Sequence, residues 1–132
     1  MKKMAILSVL AIMSLLAAED NYFFVKNKSS VADKDLQILF TEIVESSGET
    51  QYNYCPSQQP KLNSGTSVND NEYKFKFPNQ RQCGTSYNSI TLSNWQPGSW
   101  NPATSNSLAL VNNHHYVLTG DNNGLSLALS GF

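Results

Sequence analysis

The sequence has little charge and few of the motifs that carry chemistry. Only 14% of its 132 residues are charged, and the basic side chains are scattered, with no more than two close together, as at Lys74 and Lys76. Binding to nucleic-acid phosphates needs clustered Lys and Arg. The chain also lacks an HExxH motif, a Gly-rich phosphate loop and a paired-carboxylate motif. We therefore expect no nucleic-acid partner, no cofactor and no metal site.

Cysteine is scarce too, with only Cys55 and Cys83 present. Neither belongs to a CxxC pair, which gives little support to a redox or zinc role. In an oxidising compartment an isolated pair of cysteines usually forms a disulfide. Closing this loop would stabilise the fold by roughly 3.6 kcal/mol, so we expect a structural Cys55–Cys83 bond.

The N-terminus carries the longest apolar run. Lys2 and Lys3 precede an apolar stretch from Met4 to Ala18, and acidic residues follow at once. This order is typical of a secretory signal peptide, and the run is shorter than the roughly 20 residues that a membrane anchor needs. The pattern predicts a signal peptide at 1–18 and one small exported domain at 19–132, secreted or periplasmic, with no stable membrane span after cleavage. That domain has 7 basic and 10 acidic residues, a net charge of −3.

The segment after Ser30 has helical periodicity. Ser30 and Asp33 resemble a capping pair, and Gly48 is typical of a helix end. Apolar residues follow at helical spacing: Leu36, Leu39, Phe40, Ile43 and Val44. This spacing predicts an amphipathic helix whose apolar face packs on a sheet.

The rest of the chain favours short antiparallel strands. Residues Tyr22 to Val25, Ser89 to Ser93 and Leu108 to Val111 are apolar or alternating. Tyr73 to Phe77 alternates aromatic residues with lysines before Pro78, and Asn123-Gly124 indicates a C-terminal hairpin. Residues 51–71 are polar and turn-rich, as in a long loop. The expected fold is α+β, with one N-terminal amphipathic helix packed on an antiparallel sheet of four to five strands and one disulfide.

Two groups of residues are candidates for function. The first is an aromatic loop around a Pro-Gly turn, with Trp95 and Trp100 as flat apolar surfaces and Asn94 and Gln96 as hydrogen-bonding neighbours; a second contact lies near Tyr52 and Tyr54. Such a loop suits a glycan or a protein partner. The alternative is that both indole rings cap the open end of the core, since Trp is seldom left exposed without cause.

The second group is the pair His114 and His115, with Asp121 across the predicted turn. On a strand the two histidines would point to opposite faces, so they would not share one metal ion. One exposed and one partly buried histidine would also explain the pair without a site.

The first hypothesis is an exported, non-catalytic binding module that recognises a protein or glycan through the aromatic loop. One alternative is a small extracellular hydrolase using His114 or His115 with Asp121. Another is a structural subunit of a surface assembly, joined through the C-terminal edge strand. The sequence favours a protein that is not an enzyme and leaves the oligomeric state open. One further pattern, Asn27-Lys28-Ser29, fits the N-glycosylation sequon.

Overall fold

The computed structural model describes residues 21–55, 59–78, 84, 86–94 and 102–130. The predicted signal peptide at 1–18 lies outside the described residues, as do Cys83, Trp95, Gln96 and Trp100. Predictions that depend on these residues alone stay predictions.

The described chain is built almost entirely of β-strands. Its helical elements are two three-residue 3-10 turns, at Asp33–Asp35 and Leu62–Ser64. The strands, in chain order, are β1 (Tyr22–Asn27), β2 (Leu36–Ser46), β3 (Glu49–Tyr54), β4 (Thr66–Asn69), β5 (Glu72–Lys76), β6 (Ser89–Asn94), β7 (Leu108–Ala109), β8 (His115–Asp121) and β9 (Gly124–Leu129).

These strands form two sheets that pack face to face. The five-stranded sheet has the order β4-β5-β1-β8-β9, and the four-stranded sheet has the order β3-β2-β6-β7. All neighbouring strands are antiparallel except β1 and β8, which are parallel. The architecture is therefore a β-sandwich with one mixed sheet.

The core lies between the sheets and is centred on Phe23. Its ring stacks on Phe75 within the five-stranded sheet, with centroids 5.5 Å apart, and meets Phe40 of the opposite sheet edge-on at 5.9 Å. Each such aromatic pair contributes about 0.5–1.5 kcal/mol beyond its buried area. Tyr116 also joins the layers, because its hydroxyl donates to the carbonyl of Ala109 at the edge of the other sheet.

The predicted α+β fold with an N-terminal helix is wrong, because the helical segment forms strand β2. Leu36, Ile38 and Phe40 are buried, whereas Gln37 and Leu39 between them are partly exposed, which is the period of a strand. Leu36 and Phe40 are four residues apart, which places them on one face of a helix and equally on one face of a strand. The apolar pattern therefore fits both the helical and the strand period. Pairing with β3 on one side and β6 on the other decides the outcome.

Gly48 belongs to a hairpin turn rather than to a helix end. Ser47 and Gly48 both have positive φ, of 51° and 80°. They join β2 to β3 through a two-residue turn, between the paired residues Ser46 and Glu49. Positive φ at both central positions is the signature of the type I′ turn that matches the twist of antiparallel strands.

Several strand predictions are confirmed. Residues 73–76 lie in β5, with Phe75 in the core, and β8 and β9 form the C-terminal hairpin. The predicted loop at 51–71 is wrong in part, because it contains the end of β3 and all of β4. The described strands also outnumber the four to five expected, and they form two sheets rather than one.

The predicted Cys55–Cys83 bond falls partly outside the described residues, which include Cys55 but not Cys83. Cys55 is 1% exposed, belongs to the core and is not a free thiol.

Asn27 is a buried structural residue rather than an accessible sequon. Its side chain is 7% exposed, and its amide nitrogen donates to the carbonyl of Val31 at 2.8 Å and to the carboxylate of Asp33 at 2.6 Å. Its amide oxygen accepts from Ser29. The Tyr73 hydroxyl donates to the second oxygen of Asp33, and this bond raises the pKa of the Tyr73 phenol. The network fixes the connection between β1 and β2.

The substitution Asn27→Ala should lower the free energy of unfolding by about 1–3 kcal/mol, because buried partners lose their hydrogen bonds. Urea unfolding would measure this loss, with Lys28→Ala as a control at an exposed neighbouring position. Coincident unfolding midpoints for Asn27→Ala and the wild type would show that the network does not stabilise the fold.

Candidate functional site

A groove crosses the outer face of the four-stranded sheet. Its floor consists of outward-pointing residues of β2 and β6: Gln37, Leu39, Thr41, Thr91 and Ser93. One wall is formed by Tyr52, Tyr54 and Gln59, and the other by Pro102, Thr104, Ser105 and Ser107. We call this surface the tyrosine groove. Its volume of about 390 Å³ lies within the range of sites for small ligands.

Strand alternation explains why these side chains share one face. Leu39 pairs with Thr91, and Thr41 pairs with Tyr54, so each pair projects to the same side. Ile43 pairs with Tyr52 in the same way, and both side chains project to the face opposite that of the buried Phe40. The floor is therefore the reverse side of the core strands and is as firmly placed as the core itself.

The two tyrosines are the dominant feature of the groove. Tyr52 is 63% exposed and Tyr54 is 58% exposed. They occupy alternate positions of the edge strand β3, about 6.6 Å apart along the strand. The other strongly exposed large apolar side chains in the described part of the chain are aliphatic. Exposed aromatic rings are thus concentrated in this groove.

The opposite wall is held against β6 by serine and threonine hydroxyls. The Leu92 amide donates to the Ser105 hydroxyl at 2.9 Å, and the Ser105 amide donates to the Leu92 carbonyl at 2.8 Å. The hydroxyls of Thr91 and Ser107 are hydrogen-bonded at 2.6 Å across the floor. None of the residues that line the groove in the described structure is charged. The groove therefore offers hydroxyl, amide and aromatic groups to a ligand, but no charge.

The aromatic loop predicted as a binding site is only partly described. Its flanking residues Ser93 and Pro102 both line the tyrosine groove. Asn94 is 5% exposed; its amide nitrogen donates to Asn122 in the β8–β9 turn, and its backbone amide donates to Ala103. Its amide oxygen is buried and has no hydrogen-bond partner among the described residues. Asn94 thus anchors the end of β6, and a ligand-binding role for it stays a prediction.

The two histidines point in opposite directions, as expected for neighbours along a strand. The ring of His114 lies 6.2 Å from that of the buried Tyr116, and its Nδ1 is buried with no hydrogen-bond partner in the described part of the chain. His115 stacks on Phe24 on the outer face of the five-stranded sheet, with centroids 4.1 Å apart.

The acidic neighbour of His115 is Glu72. His115 Nδ1 lies 3.5 Å from the Glu72 carboxylate, which also accepts a hydrogen bond from Asn69 at 2.8 Å. The pKa of the Glu72 carboxyl is lowered, mainly by the Asn69 bond and further by His115 and Lys26, against the opposing effect of burial.

Asp121 does not come near His115. The two residues occupy opposite ends of β8, six positions apart, or about 20 Å. Asp121 accepts a hydrogen bond from the Asn123 amide inside the turn. The described structure does not bring the proposed acid and histidine together, and the hydrolase alternative stays a prediction.

The free edge of β9 is covered at its centre by Asn106. The amide nitrogen of Asn106 donates to the Leu127 carbonyl, and its oxygen accepts from the Leu127 amide, both at 2.8 Å. The side chain thus takes the place of a neighbouring strand, which protects the edge against strand addition. An assembly through β9 would have to displace Asn106 first.

Metal binding and membrane crossing find no support in the described residues. No three of their His, Cys, Asp and Glu side chains come together to hold a metal ion. No helix in the described ranges is long and apolar enough to cross a membrane.

Comparisons with known proteins do not assign the chain to a family. No protein-family model matches it, and no curated protein matches it. Among solved structures, listeriolysin O is 10% identical over 86% of this chain and 22% of its own, with a TM-score of 0.38. The cytotoxin protein suilysin from Streptococcus suis is 11% identical over 86% and 24%, with a TM-score of 0.39. A non-hemolytic pneumolysin from Streptococcus pneumoniae is 8% identical over 86% and 24%, with a TM-score of 0.40. The chain spans about a quarter of the length of these proteins, and TM-scores this low carry no argument about function.

Replacing Glu72 should change how stability depends on pH. A carboxyl whose pKa is lowered in the folded state stabilises the fold. This stabilisation is complete when the pH is above the ordinary pKa of 4.5, and it is lost as the pH falls through the pKa of the folded state. The substitution Glu72→Gln removes this contribution, so the decline in unfolding free energy below about pH 4.5 should be shallower. Asn69→Ala, which removes the largest cause, should act in the same direction. Urea unfolding across this pH range tests both, and profiles parallel to the wild type would refute the linkage.

Removing the amide that covers β9 should promote self-association. The substitution Asn106→Ala frees both backbone groups of Leu127, so we expect a larger, concentration-dependent sedimentation coefficient than for the wild type. Ser126→Ala, at an exposed site on the same strand, is the matched control. If Asn106→Ala sediments like the wild type at every concentration, the amide is not what protects this edge.

Proposed function

We propose that this chain is an exported, non-catalytic binding domain that holds a neutral glycan in the tyrosine groove. The observation that carries the proposal is the pairing of two exposed tyrosine rings with a floor and wall of uncharged hydroxyl and amide groups. The predicted signal peptide supports a secreted or periplasmic location.

The chemistry of the groove matches that of a sugar. A sugar ring has an apolar C–H face that packs on an aromatic ring, and hydroxyl groups that both donate and accept hydrogen bonds. Tyr52 and Tyr54 supply the aromatic surfaces, while Gln37, Thr91 and Ser93 supply donors and acceptors. The absence of charge in the described lining favours a neutral ligand over an acidic or basic one.

The size of the groove favours a glycan over a protein partner. A stable protein interface buries about 800 Å² on each partner. A groove of about 390 Å³ is instead in the class of small-ligand sites. Its described lining contains no carboxylate, histidine or cysteine for acid, base or nucleophilic catalysis. These features support binding without chemistry.

Removing either tyrosine ring should weaken glycan binding. We expect Tyr52→Ala and Tyr54→Ala each to reduce affinity about tenfold, and the double variant to abolish measurable binding, because the apolar stacking surface is lost. The measurement is isothermal titration with the best ligand from an array of neutral glucan, mannan, xylan and chitin fragments.

Tyr22→Ala is the matched control, since it removes a tyrosine from the outer face of the other sheet. It should leave the affinity unchanged. The proposal fails if no neutral fragment binds, or if the Tyr52 and Tyr54 variants bind as tightly as the wild type.

A further inference from the structure

A second hollow continues the tyrosine groove along the same sheet face. It has a volume of about 420 Å³. Its lining comes from the far half of β2 and the start of β6, together with the edge strand β7: Ile43, Glu45, Asn88, Ser89, Leu108 and Ala109. We call it the distal hollow. Ser107 lines both the distal hollow and the tyrosine groove, so the two meet at this residue.

Both hollows lie along β2, which contributes residues to each. Its outward-pointing residues run from Gln37, in the tyrosine groove, to Glu45, in the distal hollow. Eight residue steps of an extended strand span about 26 Å. In the cross-strand row between the hollows, Thr41 and Ser89 have short side chains, and the Ser89 hydroxyl is turned down onto the Thr41 carbonyl. These two side chains are 9% and 3% exposed, so a ligand that crosses from one hollow to the other would meet mainly Ser107, which lines both.

We infer that the ligand is a linear, neutral oligosaccharide that occupies both hollows at once. This inference rests on the proposed function and adds the length and shape of the ligand. A monosaccharide or disaccharide reaches the tyrosines alone, whereas a longer chain also contacts the distal hollow at Ala109. We call the tyrosine groove and the distal hollow together the trough. A trough of this length suits a polymer better than a compact ligand, because each further sugar unit adds contacts while the entropic cost of association is incurred only once.

The distal hollow also sets the charge that the ligand can carry. Glu45 is the one charged residue among those that line it in the described structure. A carboxylate accepts hydrogen bonds from sugar hydroxyls but repels a uronate or sulfate group. Long acidic oligosaccharides are therefore rejected at this end of the trough, and long neutral ones are accepted.

The test is the dependence of affinity on chain length, measured by isothermal titration within the neutral series that binds. We expect the hexasaccharide to bind at least tenfold more tightly than the disaccharide. Ala109→Leu, which fills the distal hollow at an exposed position, should remove this gain and leave disaccharide binding unchanged. Circular dichroism confirms that the variant is folded.

A second variant tests the charge of the site without filling it. Glu45→Gln should raise the affinity for an oligouronate hexasaccharide at least fivefold while changing the neutral hexasaccharide little. Equal affinities for the neutral disaccharide and hexasaccharide, with Tyr52 and Tyr54 still essential, would overturn the extended ligand and leave the proposed function standing. If the wild-type protein binds no neutral glycan of any length, the proposed function itself is overturned.

Discussion

The alternation of side chains along β2 is the constraint on which both the core and the candidate site depend. Leu36, Ile38 and Phe40 point inward and close the core, while the residues between them form the floor of the trough. A slip of one residue in the register would exchange the two sets, and each would then face the wrong environment. The hydrophobic effect that selects the register thus also places the groups that line the candidate site.

Asparagine side chains hold this register where the strands end. Asn88 donates to the carbonyl of Ile43 and accepts from its amide, both at 2.9 Å, and so continues the pairing of β2 past the start of β6. Asn106 does the same for Leu127 on the edge of β9. A side-chain amide matches the donor and acceptor of a peptide group, and it satisfies backbone groups that would otherwise be left unpaired. Here neutral amides protect strand ends and edges where many proteins use lysine, which helps to explain a chain rich in asparagine and poor in charge.

Local signals in the sequence predict the parts of the fold that depend on near neighbours. The strict alternation of Tyr73 to Phe77 and the Asn123-Gly124 pair identify β5 and the C-terminal hairpin, because both patterns are complete within a few residues. The same kind of reasoning fails for β2, because the spacing of its apolar residues fits the period of a helix as well as that of a strand. The β-branched residues Ile38, Thr41 and Ile43 favour a strand there, but pairing with distant β6 is what decides it. The candidate site is harder still, since its floor and walls come from segments far apart in the chain.

The outer faces of the two sheets show why the tyrosines of the groove differ from other aromatic residues. On the five-stranded sheet, the ammonium group of Lys74 lies 4.1 Å from the centre of the Tyr22 ring, and His115 stacks on Phe24. Those rings already have partners within the chain and stabilise the fold. Tyr52 and Tyr54 remain largely exposed above an uncharged floor. Folding gains little from apolar surface left in water, so the free energy of burying these rings is still available to the ligand that we propose.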